Sequence, residues 1–84
     1  MTVNERLRNA ILDVIDNQVK ANDPPETAAT LTRLMEEGRS ELQAKQLIAQ
    51  AVVIEAIDAV KYKKPYNEAR YIKNLKNLPE EPQG

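Results

Sequence analysis

From Arg39 to Lys64 the chain contains neither Gly nor Pro, and the residues between are mostly strong helix formers. Ser40 and Gln43 stand in capping-box register at the start of this stretch, so a helix opens at Ser40 and runs to about Tyr62. Stepping its residues by roughly 100° each separates them into sides. Ala44, Leu47, Ile48, Ala51 and Val52 occupy one side, and Leu42, Val53, Ile57 and Val60 occupy the opposite one. A helix that is apolar nearly all round must be covered from more than one direction. That requirement limits what the chain can become. The expected fold is all-α, a compact four-helix domain built around this central, apolar helix, whose two sides are covered by the other three helices or by a second subunit.

The flanking segments supply those helices. Val3, Leu7, Ile11, Val14, Ile15 and Val19 recur at helical spacing and predict a first helix over Val3 to Lys20, with Thr2 and Glu5 in capping-box register. Asn22-Asp23-Pro24-Pro25 ends it, because the residue before a proline is pushed out of the α region. Pro25 at a favoured first position opens a second helix, with Glu26 in its first turn and Leu31, Leu34 and Met35 as its buried face below Ala28. Gly38 stops it with a left-handed residue. A fourth helix runs from Glu68 to about Leu78, capped by Asn67, with Tyr66 and Tyr71 spaced as a hydrophobic staple. Ile72, Leu75 and Leu78 continue its buried face, and Pro79 ends it. Residues 1–79 read as one helical domain and 80–84 as a disordered tail.

Composition narrows the chemistry. The 84 residues include no Cys, His, Trp or Phe and only three Tyr, so the core must be aliphatic. No disulfide, thiol nucleophile, imidazole base or His-bearing metal set can form. Leu, Ile and Val make up 20 residues and the net charge is −1, which permits collapse. Asp13 and Asp16 interrupt any apolar signal segment near the N-terminus, the longest apolar run (Ala51 to Ile54) is too short to span a bilayer, and no lipidation motif is present. A cytoplasmic protein without membrane partners is expected.

The stretch Pro24-Pro25-Glu26, Leu31, Arg33-Leu34, Glu37-Gly38, Ser40, Ala44, Leu47-Ile48, Glu55, Lys61, Lys64-Pro65-Tyr66, Glu68, Arg70-Tyr71 and Leu75 to Pro79 resembles a small helical bacterial domain of unknown function. The resemblance covers about two-thirds of the chain and leaves the first helix outside. It implies a helical fold and a bacterial origin, and no activity. Members of that family often carry His or Tyr between the Gly and the Ser, where this chain has Arg39, so no imidazole role is implied there.

Charge is distributed unevenly. Lys61, Lys63, Lys64, Arg70, Lys73 and Lys76 face a single Glu68 within residues 61–78, a net +5 against −6 elsewhere. These six residues form a candidate basic patch for nucleic acid or another anionic ligand, and Tyr62 and Tyr66 can stack on bases. The plainer reading is that lysines complement a helix C-terminus and solvate an outer face, with the tyrosines serving as core and staple. A pI near 5.4 is also far from that of a nucleic-acid-binding domain.

Carboxylates stand three apart at Asp13 and Asp16 and at Glu55 and Asp58, a spacing that could hold a hard cation but is common on solvated faces. Helix-bundle di-metal sites need Glu-x-x-His pairs, which are absent, so no metal or cofactor is expected. Glu55 falls angularly between Ala44 and Ile48 on an apolar side. Buried there it needs a partner, and Arg70 or a lysine of the fourth helix would serve. A pair of carboxylates for glycoside chemistry would need a deep cleft that nothing here supplies. There is no phosphate-binding glycine loop, and Ser40, the only Ser, is occupied as a cap. The Gly38-Arg39-Ser40 joint resembles a helix-turn-helix, but its second helix lacks the polar face that reads DNA. The expected role is a non-enzymatic protein–protein interaction or self-association module, with weak anion binding through Lys61 to Lys76 as the alternative.

Overall fold

The computed structural model describes residues 3–63 and 66–83, with the side chain of Val3 excepted. Within them the chain forms four helices: α1 (Val3–Ala21), α2 (Pro25–Glu36), α3 (Glu41–Tyr62) and α4 (Glu68–Asn77). The proposed Thr2 cap of α1 and residues Lys64 and Pro65 lie outside the described residues. The fold is the all-α four-helix domain that the patterning predicts, with α3, like α2, touching each of the other three helices. Among the described residues no helix is long and apolar enough to cross a membrane.

The local signals act where the sequence puts them. Ser40 Oγ accepts from the Gln43 amide at 3.1 Å while Gln43 Oε1 accepts from the Ser40 amide at 3.0 Å, a closed capping box. Asn67 Oδ1 accepts from the Arg70 amide at 3.1 Å and caps α4. Gly38, at φ +107°, carries the reversal between α2 and α3 that a side chain would strain. α1 ends not on the prolines alone but on Asn22, which turns left-handed at φ 53° and lets the Asn22 and Asp23 amides reach back to Val19 and Gln18 carbonyls.

The core consists of Ile15, Leu34, Ala44, Ile48, Ala51, Val52, Tyr71, Leu75 and Leu78. Two expected faces are narrower or rotated. On α2 the buried row is Thr27, Thr30 and Leu34; Leu31 is half-buried and Met35 is exposed. The rotation has a cause in hydrogen bonding. The Thr27 hydroxyl donates to Gln18 Oε1 at 2.8 Å, Tyr71 donates to the same oxygen at 2.9 Å, and the two hydroxyls lie 3.1 Å apart. On α1 only Ile15 is fully buried; Leu7, beside the later part of α3, and Val14 stay exposed.

Between the inner carboxylates and α4 the packing is ionic. Glu55 is 1% exposed and receives Arg70 Nε at 2.7 Å, a second Arg70 nitrogen at 2.9 Å and the Asn67 amide at 3.1 Å. The same guanidinium reaches Asp58 at 2.7 Å. These two carboxylates hold the Arg70 proton more firmly than usual, Glu55 contributing most.

Candidate interaction surface

The two sides of α3 have different fates. Ala44, Ile48, Ala51, Val52 and Glu55 are buried against the rest of the chain. Leu42 and Ile57 are each 55% exposed and Val60 is 81% exposed, with Val53 half-buried between them. α1, α2 and α4 therefore cover one side of the central helix and leave the other open.

α1 forms one wall of that open side and runs antiparallel to α3. Asp16 meets Lys45 at 2.7 Å near the start of α3, whereas Leu7 and Ile11 stand beside Val53, Ala56 and Val60 near its end. Leu7 is 59% exposed. Two apolar hollows sharing Leu7, Ile11 and Val53 result. One, of about 400 Å³, extends over Ala56, Ile57 and Val60 to Lys61. The other, of about 470 Å³, extends over Ala49 and Ile54, with Arg8 and Gln46 at its rim and Glu81 and Pro82 lining it from the chain end. That last segment is tied down by Asn74, whose side chain exchanges two hydrogen bonds of 3.0 Å with the Gln83 backbone.

Charge is graded along this face. At the α3 N-terminal end Lys45 sits between Asp16 and Glu41, at 2.7 and 2.9 Å, leaving an excess of one negative charge among the three. The pairing raises the Lys45 pKa, Asp16 contributing most, so the ammonium stays protonated across the neutral range. At the other end the exposed Lys61 borders a hollow and exposed Lys63 follows as the left-handed C-cap of α3, while Arg8 and Glu81 share the hollow over the middle of the helix.

The six candidate basic residues stand in different surroundings. Arg70 is committed to Glu55 and Asp58. Lys61 Nζ lies 5.2 Å from the centroid of the Tyr62 ring. Lys73 and Lys76 are exposed on α4, and Lys64 lies outside the described residues. Tyr66 packs its ring against Tyr71 at 5.3 Å between centroids, the staple geometry. Among the described residues no three acidic side chains converge as a metal-holding group.

The open face needed no motif to be found: the second apolar side of α3 was visible in the spacing of Leu42, Val53, Ile57 and Val60. The contribution of Leu7 and of the chain end near Pro82 was not, since it depends on where α1 and residues 81–83 pack. No family model matches the chain, and no match was found among curated proteins or solved structures.

Proposed function

We propose that this chain is a non-enzymatic protein-interaction module that receives an apolar helix of its partner along the open α1–α3 face. One observation carries the reading: the second apolar side of α3, with Val60 81% exposed and Ile57 and Leu42 each 55% exposed, is left largely open by the described residues. Contiguous apolar surface left in water is unfavourable by roughly 25 cal/mol per Å² and in soluble proteins marks contact sites. The two hollows along α3 suit the spaced apolar side chains of a helix laid into a groove. The absence of Cys suits a reducing compartment, and we place the module in the cytoplasm.

The test is a photo-crosslinking amino acid placed in the native host at Ile57, on the face, or at Lys73, exposed on α4 away from it. Covalent adducts are expected from Ile57 and not from Lys73. Equal adduct formation from both positions, or none from Ile57, would remove the face from the interaction.

A further inference from the structure

We infer that the helix received by the α1–α3 face is α3 of a second copy of this chain, packed antiparallel across a two-fold axis near Ala49 and Val53. The inference rests on the docking reading above and names its occupant. Three observations converge on it.

The first is self-complementarity of spacing. Leu42, Gln46, Ala49, Val53, Ala56 and Val60 alternate four and three residues apart along the outer side of α3, the pattern of a coiled-coil seam. The face thus carries both the groove and the row of side chains that fits such a groove. Reversing one copy about a point midway between Ala49 and Val53 sets Leu42 against the partner's Val60, Gln46 against the partner's Ala56 and Ala49 against the partner's Val53. Each layer then joins a larger side chain to a smaller one, which allows close approach.

The second is charge. The acidic excess of Asp16 and Glu41 lies at one end of the face and Lys61 at the other, while Arg8 and Glu81, of opposite sign, share the hollow between. The reversal that aligns the apolar layers also sets the acidic end of each α3 level with the basic end of its partner. A parallel arrangement would set like against like at both ends.

The third is size. α3 is 22 residues, about 33 Å long, and the face is two helices wide, or ~20 Å. The footprint of the two helices, roughly 650 Å², approaches the ~800 Å² per partner that a standard interface buries.

The absence of native Cys makes the register testable with single introduced cysteines. Gln50→Cys, at an exposed position beside the axis, places two thiols about 3 Å apart along the helix direction, whereas two copies of Val60→Cys stand roughly 27 Å apart. Light scattering on the unmodified chain is expected to give twice the 9.5 kDa chain mass at high micromolar concentration and the single-chain mass on dilution. On mild oxidation Gln50→Cys is expected to form a disulfide dimer, Val60→Cys alone to form none, and Val60→Cys mixed with Leu42→Cys to form one. Circular dichroism of each variant checks that helix content is unchanged.

A single-chain mass at every concentration would overturn the second copy as occupant, and so would Val60→Cys cross-linking to itself as readily as Gln50→Cys. In the first case, adducts from Ile57 to a different protein in the host would leave the docking face standing with another occupant. With no such adducts, both readings fall.

Discussion

Arg70→Ala is expected to destabilise the chain by about 3–5 kcal/mol, the cost of leaving a buried charge without its partner. Glu55 is 1% exposed, and its carboxylate receives two guanidinium nitrogens and one backbone amide, so nearly all its compensation comes from one side chain. Removing that side chain also releases Asp58 and weakens the docking of α4 on α3. Small domains have total stabilities near the low end of about 5–15 kcal/mol, so the loss amounts to unfolding of a large fraction of molecules at moderate temperature. Replacing both partners, Glu55→Leu with Arg70→Leu, is expected to recover much of the loss, because a buried ion pair and an apolar pair of similar volume are often comparable. Urea denaturation followed by circular dichroism measures both. A loss below about 1 kcal/mol for Arg70→Ala, the range of an exposed pair, would show that water and other groups solvate Glu55 in the folded chain.

Tyr71 carries the second large effect. It is the one aromatic ring fully buried among the described residues, and its hydroxyl closes a triangle with Gln18 and Thr27. Three short contacts share two hydroxyl protons, so one edge of the triangle is always without a proton. Tyr71→Ala removes the ring as well and is expected to cost about 3–5 kcal/mol. Tyr71→Phe keeps the ring and is expected to cost about 1–3 kcal/mol, since Gln18 and Thr27 lose a shared partner. The pH dependence separates the hydroxyl from the ring. Burial raises the Tyr71 pKa above its ordinary 10.0, so the folded chain holds this proton more tightly than the unfolded chain. That contribution is fully present below pH 10.0 and is lost as the pH climbs from 10.0 through the raised value. The Lys45 shift has the same sign from a start of 10.5. Thermal melts between neutral and strongly alkaline pH are expected to fall more steeply for the unmodified chain than for Tyr71→Phe. Equal slopes would exclude the buried phenol as a source of the alkaline loss.

Which parts of this structure could be read from the sequence follows from the range of each signal. Ser40 with Gln43, Asn67 with the Arg70 amide, and the left-handed Gly38 are settled within three or four residues, and the spacing alone identifies them. Glu55 with Arg70 spans 15 residues, yet it was legible because a carboxylate on an apolar side demands a cation and few were within reach. The Gln18–Thr27–Tyr71 triangle spans up to 53 residues and involves neutral groups that make no such demand, so no charge singles out Thr27 and Thr30. Their place beside Leu34 at spacings of three and four was the available signal. Met35 is expected on the buried face of α2 and is exposed, and Leu7 and Val14 of the α1 stripe are exposed too, because periodicity assigns a residue to a side of its helix without saying how far the neighbouring helices extend. The same limit explains why α3 could be seen to have two apolar sides but not which one its own chain would leave open.

The most direct test of that open side is the accessibility of isoleucine methyl groups to a soluble paramagnetic probe, measured by NMR on the unmodified chain. In dilute solution the Ile57 signal is expected to be strongly bleached while those of buried Ile15 and Ile48 survive, and on concentration Ile57 is expected to regain its intensity as a second copy covers it. An Ile57 methyl as protected as Ile48 in the dilute chain would mean that α3 is already covered on both sides by its own chain, leaving no face for a partner.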